Sequence, residues 1–176
     1  MVKRAICLFS GGLDSTTVLF MARRDNESVT ALTVDYGQLH RKEVTIAQSL
    51  CQELGLRHHV LAVPMPWKGS ALLDSRIAIP SGRDQAEMTD IPATYVPARN
   101  TVFLALAASC AEAEKAQRIY LGINALDYSG YPDCRPEFIE AFQDLVKKGT
   151  KCGTEGFAVE LQAPLLRLSK KDIVLL

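Results

Sequence analysis

The sequence lacks any apolar run approaching the ~20 residues that cross a bilayer, so no membrane partner is expected. It lacks a Cys-x-x-Cys pair, and its five cysteines (Cys7, Cys51, Cys110, Cys134, Cys152) are odd in number. That argues against a disulfide framework and against a zinc site made from this segment alone. Cys7, Cys51 and Cys110 sit in apolar stretches and read as small core residues, while Cys134 and Cys152 lie in loop-like sequence and stay open. No charge excess exists: 20 basic residues balance 20 acidic ones, without the footprint of a duplex-binding protein, and no nucleic-acid partner is expected. Internal repeats and low-complexity tracts are missing, which removes the collagen-like and coiled-coil classes. The basic, then apolar start Met1–Ile6 resembles a signal peptide, but Ser10-Gly11-Gly12-Leu13-Asp14 interrupts it too early for an h-region. A cytoplasmic location is the expectation. What is present is 176 residues, 48% of them hydrophobic, enough for one globular domain with a buried core.

Strand and helix patterns alternate along the chain. Arg4 to Phe9 reads as a buried strand, ended by Gly11-Gly12, and Val18, Leu19, Met21 and Ala22 suggest a helix. Val29 to Val34 is a second strand; Val44, Ala47, Leu50, Cys51 and Leu54 then recur at helical spacing before Gly55. Val60 to Val63 forms the core of a third strand. Residues 64–98 predict no regular element, and insertions of that length are usually functional or mobile. Thr101 to Lys115 reads as a buried helix with Asn100 as its N-cap, Ile119 to Ile123 as a fourth strand, and Val159 to Leu161 as a fifth. Between the last two, Phe138, Ile139, Phe142, Leu145 and Val146 make an amphipathic helix. This alternation predicts an α/β fold, a doubly wound, mostly parallel five-stranded sheet with helices on both faces. Ligands of such sheets bind outside the carboxyl ends of the strands, which directs attention to loops 10–15, 35–40, 64–98, 124–134 and 162–169.

Ser10-Gly11-Gly12-Leu13-Asp14-Ser15 follows the first strand and opens the first helix. Its glycines permit positive φ and close backbone approach, and the helix start offers free N–H groups and a positive dipole end. Ser10, Ser15 and Thr16 add hydroxyl donors. The loop is built to cradle phosphate, yet it is neither a Walker A loop nor G-x-G-x-x-G. A plain strand–turn–helix junction with capping Ser and Asp is the ordinary alternative.

The S-G-G-x-D-S loop resembles the pyrophosphate loop of the N-type ATP pyrophosphatases, which cleave ATP between the α and β phosphates and adenylate a carbonyl or carboxylate oxygen. Three further segments sharpen the likeness: Asp35-Tyr36-Gly37-Gln38, Tyr95-Val96-Pro97-Ala98-Arg99-Asn100, and the run from Gly122 through Asp127-Tyr128-Ser129-Gly130-Tyr131-Pro132-Asp133-Cys134-Arg135. With the loop, they closely resemble the 7-cyano-7-deazaguanine synthases of the queuosine pathway over nearly the whole chain. The family more often has Gly where this chain has Ala98.

The resemblance implies an ATP-dependent carbon–nitrogen ligase that turns 7-carboxy-7-deazaguanine and ammonia into a nitrile, using ATP and Mg2+ and working as a homodimer. It places Leu8, Phe9, Ser10, Gly11, Gly12, Leu13, Asp14, Ser15, Thr16, Thr17 and Val18 around ATP, with Asp35 at magnesium or ribose and Lys170 at a phosphate. Asp14, Arg99, Asp127 and Asp133 are the catalytic candidates. Arg99 suits a carboxylate or phosphate through bidentate geometry, against an ordinary ion pair at a helix start. Asp127 and Asp133 suit the amine and ring N–H of a deazapurine, or magnesium, against turn capping. Tyr128 and Tyr131 suit stacking on the base, against packing on the sheet. Tyr36, Gln38, Asn100 and Arg135 complete the expected substrate-binding set, with His40 weaker. Cys134 is a candidate thioester nucleophile, disfavoured because adenylation already activates the acid.

Other readings stand beside this one: another adenylating ligase or tRNA-modifying enzyme, an ATP-binding module without chemistry, or an inactive fragment. Ser169 and Asp172 have capping-box spacing, but the sequence stops inside an apolar helical pattern at Leu176. The family continues into a zinc-binding cysteine cluster. The expectation is therefore a single domain truncated at its C-terminus, with no zinc ligands in this chain and Zn2+ present only if that tail is.

Overall fold

Alternate side chains of β1 (Arg4–Leu8) point to opposite faces of the sheet, and this period of two divides the core. Ile6 packs against α3 (Arg99–Glu114) and α4 (Pro136–Gly149) through Leu104, Ala107, Ala111, Phe142 and Val146. Ala5 and Cys7 pack against α1 (Leu13–Asp25) and α2 (Lys42–Glu53) through Val18, Leu19, Ala22, Ala47 and Cys51. The computed structural model describes residues 2–39, 41–67, 69–77, 91–124 and 131–176.

The remaining strands are β2 (Ser28–Asp35), β3 (Arg57–Ala62), β4 (Arg118–Tyr120) and β5 (Glu160–Gln162). They pair in the order β3-β2-β1-β4-β5, and every pairing is parallel. The expected layers are thus observed. The fourth strand is shorter than its apolar run, Ile119 to Ile123. Leu121 still donates from its N–H to the Gln162 carbonyl at 3.0 Å, but the chain then turns across the start of α1 instead of extending the ladder.

The winding direction reverses between β1 and β4, whose register pairs Cys7 with Tyr120. Loops leaving these two strands diverge, which opens a crevice at their carboxyl ends. Described parts of the 64–98 segment fold over the neighbouring end of β2, where Met65 and Val96 pack with Val34 and Tyr36 in a satellite core.

One expectation is corrected. Asn100 does not cap α3: the N-cap is Ala98, in the left-handed region at φ 53°, and Asn100 is already helical. The cap comes from far along the chain, where the Asp133 carboxylate accepts the Asn100 N–H at 2.9 Å. A helix start leaves N–H groups without intrahelical partners, and here a carboxylate from the loop after β4 meets one of them.

After the one-turn α5 (Lys151–Thr154) and β5, the chain ends with α6 (Lys170–Val174). The predicted capping box is present: the Ser169 hydroxyl accepts the Asp172 N–H at 3.2 Å, and the Ser169 N–H donates to the Asp172 carboxylate at 3.0 Å. Ile173 anchors this helix in the α1–α2 side of the core. Among the described residues, no helix is long and apolar enough to cross a membrane.

Candidate active site

A cleft of about 490 Å³ occupies the crevice between β1 and β4. Its floor is apolar, from Leu8, Phe9, Leu32, Val34, Leu104 and Leu121, and its rim is polar. That combination suits a flat heterocycle carrying charged groups.

The rim is dominated by the loop after β1. Ser15 is buried, and its hydroxyl donates to the Gly12 carbonyl at 3.0 Å while lying 3.1 Å from the Ser10 hydroxyl. The Ser10 N–H donates to Ser15 Oγ at 3.2 Å, and the Gly12 N–H to Ser10 Oγ at 3.3 Å. Gly11 sits at φ 87°, and a Cβ there would lie 2.4 Å from the Glu43 carbonyl oxygen. Only glycine satisfies both constraints.

From the other side of the crevice, Gly122 meets the first turn of α1. A Cβ on Gly122 would stand 3.0 Å from the Ser15 N and Cα and from the Asp14 carbonyl carbon. Beyond it, the buried Asn124 amide donates to the Leu165 carbonyl at 3.1 Å and to the Leu168 carbonyl. This ties the loop after β4 to the segment that presents α6. Lys170 Nζ then lies 2.6 Å from Asp14 Oδ1.

The far wall carries Arg99. Its guanidinium donates to the Tyr36 hydroxyl at 3.0 Å and lies 5.5 Å from the centre of the Tyr36 ring. The Gln38 side-chain oxygen in turn accepts the Tyr36 N–H at 3.0 Å. Tyr131 packs its ring 5.7 Å from that of Tyr95 and hydrogen-bonds Thr94 through its hydroxyl.

The residues expected from sequence separate into groups. Leu8, Phe9, Ser10, Gly12, Leu13, Asp14, Ser15, Tyr36, Gln38, Arg99, Asn100, Tyr131 and Lys170 line one cleft. Gly11 supports the loop from behind. Thr16 and Thr17 turn their hydroxyls back to the Gly12 and Leu13 carbonyls, at 2.9 and 3.1 Å, and Val18 is fully buried in the core. Asp35 sits at the end of β2, where Arg41 and the Gly37 N–H engage its carboxylate; the Arg41 hydrogen bond chiefly holds its pKa below the usual range. Asp133 is buried beneath the α3 start, as described, and Arg135 is exposed at the N-cap of α4. Asp127, Tyr128 and His40 lie outside the described residues.

Cys134 lines the cleft, with its sulfur 3.3 Å from the Asn100 amide nitrogen. Burial above all, and then the neighbouring Asp133 carboxylate, push its thiol up to about 12. Such a thiol stays protonated near neutrality and is a poor nucleophile.

The lining residues that carried no role in the sequence include Glu43, Gly122 and Asn124. A glycine interrupting the apolar run Ile119 to Ile123 was a usable signal for Gly122. Glu43 offered none, since it reaches the loop only because α2 packs there.

A parallel α/β sheet with a Ser-Gly-Gly-x-Asp-Ser loop at its switch point defines the class as a nucleotide-binding fold of the PP-loop ATP pyrophosphatase kind. It is shared at fold level with NMN synthetase from Francisella tularensis (TM-score 0.52, 18% identity, 97% of this chain and 58% of that one). The predicted tRNA methyltransferase subunit from Methanocaldococcus jannaschii is similar too (TM-score 0.55, 15% identity, 99% and 73%). The chain belongs to the family described as queuosine biosynthesis protein QueC, which it matches over residues 4–176. Its relatives include the 7-cyano-7-deazaguanine synthases of Anaeromyxobacter dehalogenans (51% identical, 98% of this chain and 75% of that protein) and Trichodesmium erythraeum (48%, 97% and 78%).

Proposed function

We propose that the cleft holds ATP and 7-carboxy-7-deazaguanine side by side, for the ATP-dependent synthesis of 7-cyano-7-deazaguanine that this chain catalyses. The observation that carries this assignment of sites is that Arg99 and the Ser10–Ser15 loop line the same cleft.

A carboxylate oxygen is a poor leaving group, whereas AMP is a good one. The substrate carboxylate attacks the α phosphorus of ATP, the bond to the bridging oxygen breaks, and pyrophosphate departs. Ammonia adds to the acyl carbon of the resulting mixed anhydride, AMP leaves with the carbon–oxygen bond electrons, and loss of a proton gives the amide. The amide oxygen attacks a second ATP, pyrophosphate leaves again, and departure of AMP with loss of both N–H protons leaves the nitrile. The oxygens of the acid end on the two AMP molecules, so no free water forms.

The chain's part is positioning and charge neutralisation. Loop N–H groups and the start of α1 receive phosphate oxygens, and Lys170 neutralises charge beside them. Arg99, held by Tyr36, pairs with the substrate carboxylate. The apolar floor keeps water from the mixed anhydride. Asp14 and Glu43 border the loop with hard oxygen donors, a set that fits Mg2+, which supplies charge neutralisation on the phosphates. The free cysteines suit a reducing compartment such as the cytoplasm, and exposed Leu145, Phe157 and Leu175 provide apolar area for a second copy.

The test is to incubate the protein with 7-carboxy-7-deazaguanine, isotopically labelled ammonia and ATP, and to follow products by mass. The expected result is labelled nitrile with two AMP per turnover. AMP without nitrile would indicate a different adenylated substrate.

A further inference from the structure

At the opposite end of the sheet from the cleft, three side chains of different chemistry converge. His59 stands on β3, an edge strand, and Cys110 and Glu114 lie one turn apart on α3. One ligand atom of each, the His59 imidazole nitrogen, the Cys110 sulfur and a Glu114 oxygen, lies within 4.8 Å of the other two. We infer that His59, Cys110 and Glu114 form a binding site for a Zn2+-like divalent transition metal ion, which joins the edge strand β3 to α3.

The two oxygens of Glu114 have separate surroundings. Oε1 faces His59 Nε2 at 2.7 Å. Oε2 accepts the Thr30 hydroxyl at 2.7 Å and a guanidinium N–H of Arg57 at 3.3 Å. An ion taking Oε1 therefore leaves the Thr30 and Arg57 contacts in place. Such outer contacts orient a metal-binding carboxylate. Burial would raise the Glu114 pKa, but the His59 and Thr30 hydrogen bonds and the Arg57 charge outweigh it, so the carboxyl is held below its usual range and is ready to bind.

Cys110 has the opposite need. Burial, and then the Glu114 carboxylate, raise its thiol pKa. A divalent cation between thiolate and carboxylate removes that repulsion and drives off the thiol proton. Thiolate and carboxylate together balance a charge of +2, and the Arg57 charge stays with Oε2.

Donor chemistry selects the ion. One sulfur, one imidazole nitrogen and one carboxylate oxygen suit Zn2+ or Co2+, whereas Mg2+ and Ca2+ prefer all-oxygen sets. The His59 side chain is 44% exposed, so an ion has a route in and solvent can fill the fourth position. The site lies away from the phosphate loop and joins a sheet edge to a helix, which is the placement of a structural clip. It is independent of the proposed reaction.

The test uses the 176-residue chain, kept reduced and titrated with Co2+ alone. The expected result is a sulfur-to-cobalt charge-transfer band that saturates at one ion per chain and is bleached by Zn2+. The band disappears in Cys110→Ser and in His59→Gln, the latter a change at a half-exposed side chain that the fold tolerates. Thr30→Val weakens binding by about tenfold or more through loss of the outer contact. Zn2+ raises the melting temperature of the wild type and leaves that of His59→Gln unchanged, because an ion that binds only the native site stabilises it. No charge-transfer band in the wild type, or a band that survives both Cys110→Ser and His59→Gln, would overturn the proposal.

Discussion

The Lys170 ammonium lies 2.6 Å from the Asp14 carboxylate, a contact that joins α6 to the Ser10–Ser15 loop across 156 positions of the chain. Before ATP arrives, each group offsets the other's charge at the loop. With ATP bound, the proposed roles separate, Lys170 at a phosphate and Asp14 at the metal-binding side. Asp14→Ala is expected to cut AMP formation by about a hundredfold or more, with the melting temperature nearly unchanged, since an ion pair whose lysine is open to solvent contributes little stability. Lys170→Ala is expected to raise the KM for ATP more than it lowers kcat. Steady-state AMP release across ATP concentrations checks both, and wild-type turnover in Asp14→Ala would remove it from the mechanism.

Gly122→Ala is expected to damage loop and fold together. Its Cβ would stand 3.0 Å from backbone atoms of Asp14 and Ser15, which have no flexible end that can move aside. A loss of about 1–3 kcal/mol in urea unfolding is expected from overpacking, with weakened ATP binding. Full ATP affinity in the variant would mean that the loop is free to shift.

Cys134→Ala is expected to retain nitrile formation within a few-fold of wild type. Its thiol, pushed up to about 12, offers almost no thiolate near neutral pH. Trapping of a covalent acyl-enzyme by rapid quench, or complete loss of turnover, would restore the thioester route.

Ala98→Gly is expected to stabilise the protein by about 1 kcal/mol, because Ala98 occupies the left-handed region at φ 53° and a Cβ is unfavourable there. Chemical denaturation of the two proteins decides the matter, and a neutral or destabilising result would refute it.

Asp35 makes stability pH-dependent with a definite sign. The Arg41 hydrogen bond lowers its folded pKa, so its contribution is fully present above the unfolded value of about 3.9 and is lost as pH falls through the folded value. The stability gap between wild type and Asp35→Asn is expected to be constant at neutral pH and to close only in acid. Urea melts across that range measure it, and a gap that closes above pH 6 would point to another group.

Local patterns in the sequence determined the strand–helix alternation, the Gly-Gly turn at the end of β1 and the Ser169–Asp172 capping box, because periodicity, turn residues and capping act over a few positions. Family resemblance added the substrate segments. The tertiary structure alone decided that β4 lies beside β1, so that Gly122 meets Ser15 and Lys170 meets Asp14. It also replaced the expected Asn100 cap with the Asp133 carboxylate, a partner 33 positions away that no local pattern announces. Cys110 read as a core cysteine, and no zinc ligands were expected in this chain. Cys110 and Glu114 share one face of α3 through helical spacing, and only the tertiary fold brings His59 of β3 to them. Such pairings depend on where whole elements dock, and docking is set by the apolar faces of helices and strands, which do not encode which polar groups meet at their ends.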